Sequence, residues 1–455
     1  MNSQQRFLRV LSRKDVLALA FGAMVGWGWV ILSSTWILGG GSIGAMLAFA
    51  ATGLAILVVS LLYAELAAAM PRVGGEHVYS LRALGRTGSF ICTWAIIFIY
   101  VSVVCFEAVA IATVFDYVDL NVKHLYLWTV AGYDVYLTWA LIGIVPAIAI
   151  TVINVLGVKL SAVFQTIATL LILLSGLMLL TGASLQGSLE NLDPYFAAGS
   201  AGVLGVVAMV PFFFVGFDVI PQAAEEINLP YRMIGAVIAL SVTIAIVWYC
   251  LVILGVATLS DSALLTESRL ATADANAVAW GATGSNVMIL GGIAGILTSW
   301  NAFVIGGSRA IFAMSESRML PPGLGRLHGD FRTPYLAIIL IGLLSCIAPL
   351  LGRQALVWFV NAGSFGLIVA YLLVSVSFLR LRRSEPELVR PFRLPAGNLL
   401  GWTGVISCCA ITLVYIPGSP SALSREEWLV VIAWSLLGLG FYVWSVVRQR
   451  RGPIG

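Results

Sequence analysis

The stretch Gly22-Ala23-Met24-Val25-Gly26-Trp27-Gly28 interrupts the first long apolar run of the chain, and Phe214-Val215-Gly216-Phe217-Asp218 interrupts the sixth. Backbone freed from the helix ladder at membrane depth is tolerated only where it lines a cavity or is buried in protein. The spacing of the two runs implies a repeat of five helices. Five is odd, so the second copy must insert with inverted topology, and matched interruptions in two halves are a pointer to a carrier's binding site. Either glycine run alone is equally compatible with close helix packing. The pairing, with Asp218 beside the second run and Pro221 after it, favours two broken helices.

Composition agrees with a membrane setting. Of 455 residues, 60% are hydrophobic and 10% charged, with a mean hydropathy of +0.99, whereas soluble domains carry about 25% charged residues. A spanning helix needs about 20 apolar residues. Runs of that size fall near 15–40, 43–70, 86–118, 135–153, 158–182, 199–227, 233–259, 286–316, 334–351, 355–379, 399–417 and 428–447. The reading is an all-α integral membrane protein of about twelve transmembrane helices, with a five-plus-five inverted repeat and broken first and sixth helices. The longer polar stretches, about 119–134, 183–198, 260–285 and 380–398, are too short for a separate soluble domain.

Arg6, Arg9, Arg13 and Lys14 precede the first span, and no small-residue cleavage site follows it, so that helix is expected to be retained. With the N-terminus inside, only Lys123, Arg269, Arg353 and Arg425 of the 25 Lys and Arg residues fall outside. The positive-inside rule then puts both termini in the cytoplasm, in the plasma (cell inner) membrane. The net charge of +4 is a matter of topology, and no nucleic-acid partner is implied. All six cysteines lie in the expected spans as small apolar packing residues; no disulfide framework, metal cluster or cofactor is expected. The linker Arg380–Arg393, with two prolines, divides residues 1–395, a ten-helix unit of two repeats (about 15–182 and 199–379), from residues 396–455, two accessory helices and a tail.

Several motifs resemble the amino acid-polyamine-organocation superfamily of permeases. Gly26-Trp27-Gly28 is similar to that family's Gly-Ser-Gly break. Tyr63-Ala64-Glu65-Leu66, followed by Pro71-Arg72-Val73-Gly74-Gly75-Glu76-His77-Val78-Tyr79, resembles its ELxxxxPxxGGxYxY signature, the most specific match. Phe213 to Asp218, then Ala224-Glu225-Glu226-Ile227-Asn228-Leu229-Pro230, resembles the sixth-helix motif. Asn154 to Lys159, Arg309 to Met314, Leu320-Pro321 and Phe331-Arg332-Thr333-Pro334 complete a resemblance covering roughly residues 10 to 395. It implies a LeuT-type fold, alternating access and a substrate drawn from amino acids and related amines.

The candidate substrate-binding residues are Met24, Gly26, Trp27, Gly28, Glu107, Phe212, Val215, Gly216, Asp218, Trp300 and Phe303. Glu107 sits mid-span in helix three, where a carboxylate costs about 2.5 to 3.5 kcal/mol on translocon scales. It is expected to contact a cationic amine or carry a proton, or else to stand protonated between helices. The resemblance places it in the substrate cavity. Asp218 is either a substrate or proton group or the cap of the second half-helix, and proximity to Glu107 would suit proton coupling. Half-helix N-termini are also expected to attract an anionic group. Lys159 matches a lysine that stands, in proton-linked relatives, where sodium-coupled ones bind an ion; otherwise it snorkels to the boundary. Phe212, Trp300 and Phe303 are aromatic-lid candidates, and aromatic faces attract ammonium groups.

Trp27 and His77 depart from the family pattern, which has a small hydroxyl residue and a tyrosine there. Either the substrate is small, or the Trp27 indole turns away and backbone amides do the binding. Glu65, Glu225, Glu226, Arg309, Arg318 and Arg332 are candidates for an inner gate.

These features point to a proton-linked, sodium-independent secondary transporter of a small amino acid or amine, with the bilayer and the proton as further partners. An exchanger, or a substrate sensor on the same fold, is the alternative. An enzyme is not expected: the three histidines are far apart and neither HExxH nor GxSxG occurs. A channel would favour pore-lining rings over two matched breaks.

Overall fold

The computed structural model describes residue 7, residues 9–118 and residues 123–450, and within these every side chain except those of 158–161 and 450. Among the described residues, eleven helices are long and apolar enough to cross a membrane, and a shorter apolar one runs Tyr335–Leu351. Twelve spans were expected. An even number returns the chain to the face where it began, called here the termini face.

The first span is α1 (Arg13–Met24), α2 (Gly28–Ile31) and α3 (Ser33–Gly40); the second is α4 (Ser42–Ala69). The third, α5 (Glu76–Tyr117), begins as a short re-entrant helix that turns at Gly85, whose φ of 73° suits glycine. A two-stranded antiparallel hairpin follows, β1 (Tyr126–Val130) and β2 (Tyr133–Tyr136). Next come α6 (Leu137–Leu156) and α7 (Val158–Gln186). The second repeat is α8 (Gly199–Phe214) with α9 (Val219–Gln222), α10 (Tyr231–Leu259), α11 (Ser262–Glu267) leading into α12 (Ala271–Glu316), α13 (Tyr335–Ile347) and α14 (Ala355–Ser384). Finally α15 (Gly397–Tyr415) and α16 (Arg425–Arg450) form a last pair.

The packing obeys the five-helix shift. The second span packs on the seventh (α4 on α10) and the third on the eighth (α5 on α12), each against its own repeat mate. The other two large interfaces, α5 with α14 and α7 with α12, join third to tenth and fifth to eighth spans, and the shift exchanges them. A shared arrangement of this kind is what two inverted copies produce.

Two expected loops are more ordered than their polarity suggested. Residues 119–134 include most of the hairpin, which reverses at Ala131 and Gly132, both at positive φ. Residues 260–285 hold α11, capped by the Asp261 side chain accepting from the Leu264 amide at 2.8 Å, and the start of α12, which bends at Gly281 (φ 59°). The eighth span therefore begins at Ala271 in place of 286. Hydropathy misses such helices because they sit on the bundle end, half against protein and half against water.

The 385–396 linker is tied at two carboxylates, Glu385, which accepts from Arg82 at 2.8 Å, and the buried Glu65. Glu65, 1% exposed, accepts from Arg382 at 2.9 and 2.5 Å and from the Leu394 amide at 2.8 Å, and pairs with Arg390 at 3.1 Å. Removing one partner of a buried pair costs about 3–5 kcal/mol because the remaining charge is stranded. Glu65→Ala should lower the melting temperature and open the linker to trypsin after Arg393. A variant as protease-resistant as the parent would overturn this role.

Candidate functional site

The first helix loses its ladder at Val25, where ψ is 67°, and resumes at Gly28. The sixth loses it over Val215–Asp218, with Val215 extended and Gly216 at φ 139°, a conformation open to glycine and little else. The two breaks touch: a Cβ on Gly216 would lie 2.7 Å from the Ala23 Cβ and 2.9 Å from the Met24 nitrogen. The Phe213 ring lies on Gly28. Freed carbonyls find partners, since Tyr249 donates its hydroxyl to the Met24 oxygen at 2.6 Å.

The eighth span closes the other side of the first break. Gly292, Gly295, Ser299, Ala302 and Gly306 follow a three-four spacing, which puts small residues on one face of α12. A Cβ at Gly295 would be 2.6 Å from the Gly26 carbonyl oxygen. The Trp27 ring rests on Gly292. The Trp27 indole is turned into the packing with α12, while its backbone stays with the break.

Glu107 reaches this break from α5. A Cβ at Gly26 would begin 2.5 Å from a Glu107 carboxyl oxygen and 3.0 Å from the Ser299 hydroxyl. Glycine at 26 therefore lets a carboxyl meet bare backbone. The carboxyl lies beside the Trp27 amide and the Ser299 hydroxyl, is 1% exposed, and keeps Oε2 without a hydrogen-bond partner. Phe212, in the last turn of α8, packs edge-on to Phe106, the residue before Glu107, at 5.2 Å.

Asp218 is not its neighbour. Its Oδ1 accepts the Gly216 amide at 2.8 Å and its Oδ2 the Tyr371 hydroxyl at 3.3 Å. It makes no side-chain bond to the α9 amides, so it braces the unwound backbone and does not cap the half-helix. The carboxyl that shares its surroundings is Glu76, on the re-entrant helix and 0% exposed. Gln222 donates to Glu76 Oε2, and the hydroxyls of Tyr63, Tyr79 and Tyr100 are buried nearby. Phe303 packs on Tyr100 at 5.4 Å. Tyr100 precedes Glu107 by seven residues, about 10 Å of helix. The candidates thus divide into two levels, Met24, Gly26, Trp27, Gly28, Phe212 and Glu107 above, Asp218 and Phe303 below, with Val215 and Gly216 between. Trp300, buried, is turned about 100° from Ser299 along α12. Among the described residues no cationic side chain is ion-paired with Glu76, Glu107 or Asp218.

Lys159 is the second residue of α7; its side chain lies outside the described residues. Three α7 side chains reach α1: Gln165 and Thr169 donate to the Ala18 carbonyl at 3.3 Å, and Thr166 to Asp15 at 3.5 Å. Asn301 donates to Gln165 at 3.0 Å and Asn154 to Asn301 at 2.9 Å, giving a buried neutral amide chain between the first, fifth, fourth and eighth spans. The expected contribution of half-helix dipoles is small on the second break, because α9 is a single turn.

Below both levels the termini face is closed. Arg309 (0% exposed) donates to both carboxyl oxygens of Glu226 (1%) at 2.8 and 3.3 Å. Phe7 covers that guanidinium at 5.8 Å. Val10 and Leu11 donate to the Glu226 carbonyl, and Asn228 to Leu11, at 2.9–3.0 Å. Of the six gate candidates this pair is the one formed among themselves in the described contacts. Glu65 goes to the linker and Glu225 accepts from Val73 at 3.2 Å.

Ser299, Tyr249, Glu76, Gln222, Tyr100 and Tyr371 were not anticipated. Ser299 was findable from the small-residue stripe. Glu76 stood in the signature itself, in a segment read as re-entrant at the cytoplasmic side, and was passed over because that segment lies outside the expected spans.

Residues 11–440 match the family described as amino acid permease. A branched-chain amino acid permease of Bacillus subtilis is 26% identical over 453 residues, 97% of this chain and 94% of that protein. The methylthioribose transporter of the same organism is 26% identical, over 96% of this chain and 93% of its own length. Cationic amino acid transporter 4 of Mus musculus is 27% identical over 83% of this chain and 61% of that one.

The packing of Trp27 on Gly292 is open to a double-mutant test. Gly292→Ala alone should cost about 1–3 kcal/mol by overpacking, and the same substitution made in a Trp27→Ala background should cost less. Strictly additive melting shifts would mean that the two residues do not meet.

Proposed function

Because this chain belongs to the amino acid permease family, we propose that it carries a small amino acid or amine by alternating access, linked to protons and independent of sodium. The observation that carries the reading is Glu107: a buried carboxyl at the first break, with one oxygen unpartnered and no cation beside it among the described residues. An ammonium group is the natural complement of such a carboxyl. Phe106 and Phe212 give that ammonium an aromatic wall. The break's backbone amides remain for a carboxylate, so a zwitterion fits as well as an amine. The branched-chain permease and the cationic amino acid transporter among the relatives are in keeping with either.

What is closed supports the alternating-access part of the reading. Glu107 and Trp27 are sealed from the termini face by the Arg309–Glu226 pair and the strap of residues 9–11. Release on that side requires the pair to separate. With most Lys and Arg residues at that face, it is assigned to the cytoplasm of a cell whose plasma membrane holds the protein.

Sodium independence has a local rationale. In the space between α1, α7 and α12, Gln165 points an N–H at the Ala18 carbonyl. A donor takes the place a cation would need, and the carbonyl is already engaged. Glu107 and Asp218 are the proton-carrying candidates, on separate levels of the path; Lys159 remains a third.

Uptake and counterflow of labelled amino acids and amines into proteoliposomes test this reading. Glu107→Gln should reduce uptake of an amine-bearing substrate at least about thirtyfold, the scale of losing one side of a buried charge pair. A protonophore should abolish accumulation, and replacing sodium with potassium should change nothing. Uptake that collapses on sodium withdrawal, or that ignores Glu107→Gln, would falsify the corresponding half.

A further inference from the structure

Three cavities join along α16. One of about 520 Å³, lined by Phe98, Leu340, Leu344, Trp434 and Phe441, is apolar and lies between α5, α13 and α16. A second of about 380 Å³ sits at Pro321, Leu436, Gly440 and Trp444. A third of about 520 Å³ lies between the ends of α12 and α16 at Glu316, Arg318, Ser445 and Arg448. Phe441 lines the first and second, Trp444 the second and third. The result is one groove, apolar along the membrane and basic at the termini face.

We propose that this groove is a binding site for an anionic phospholipid, with an acyl chain along Phe441 and Gly440 and the phosphate between Arg318 and Arg448. Leu340, Leu343, Leu436 and Leu437 beside the apolar part are exposed, so hydrocarbon is what surrounds them in a membrane. The basic end is lined by Arg318 and Arg448 together with Glu316, and Arg86 stands beside it. Arg86 is spent on the Ser317 and Arg318 carbonyls at 2.9 and 2.7 Å, which already serves the negative end of α12. Arg448 lies over the Trp444 ring at 5.2 Å, a position that fixes its plane and leaves its edge donors outward. Basic pockets between membrane helices at the boundary are suited to lipid phosphates.

Arg318 adds an independent reason. The Met319 amide bonds to the Met314 carbonyl and the Arg318 amide to the Ser315 carbonyl, both at 2.9 Å. This is a Schellman ending, with Arg318 at the left-handed position (φ 57°) that glycine normally fills. A charged side chain kept where the backbone favours glycine calls for a use of the charge, and the groove supplies one.

Native mass spectrometry of the intact protein, with phosphatidylglycerol and phosphatidylcholine of matched chains, tests the site. Phosphatidylglycerol should be retained preferentially. Arg318→Gln with Arg448→Gln should weaken that retention at least about fivefold. Gly440→Trp should displace the tail without unfolding, since a Cβ at Gly440 meets nothing within 4 Å. Soluble glycerol phosphate should not compete. Equal retention of the two lipids, retention unchanged in either variant, competition by the soluble head group, or a second copy of the chain cross-linked through position 440 would each overturn the proposal.

Discussion

Close approach of bare backbone is the constraint on which this molecule rests. Where α1 opens, the Gly26 carbonyl lies against Gly295 of α12, and where the sixth span opens, Gly216 lies against Ala23 and Met24. Neither break has room for a side chain on those glycines. Two of the freed polar groups have named partners, the Met24 carbonyl in the Tyr249 hydroxyl and the Gly216 amide in the Asp218 carboxylate. Unwound backbone at membrane depth is tolerated only where it is buried in protein or lines a cavity, so the two breaks and the packing that permits them are one construction.

The two carboxyl levels divide the work of that construction. Glu107 belongs to the first break and keeps an oxygen free, while Asp218 spends its oxygens on Gly216 and Tyr371. One is available to a ligand; the other holds the shape of the second break and shares its buried surroundings with Glu76. Beneath them the Arg309–Glu226 pair is fully desolvated. Such a pair adds little net stability when intact but is expensive to break singly.

The architecture was legible because apolar runs of about twenty residues and glycine interruptions are local signals. Twelve spans, the two breaks and their five-helix spacing all follow from them. Sequence also isolated Glu107, because a charge in an apolar run is conspicuous. It failed where position depends on packing between distant segments. Asp218 and Glu107 read as a pair because both mark the pocket, yet they lie on different levels. Glu76 was hidden because a re-entrant helix carries no spanning signal. The mates of Glu65 lie some 320 residues further on, in a linker whose polarity suggested looseness. The hairpin and the start of α12 were read as loops because bundle-end elements are only half buried.

The meeting of Trp27 with Gly292 makes the two positions conditional on each other. A methyl group at 292 would begin against the six-membered ring of the indole, so one of the two must shift. With a small residue at 27 that ring is gone, and the same methyl group meets little. What the first break can carry at position 27 is thus set by a second helix, some 265 residues away along the chain.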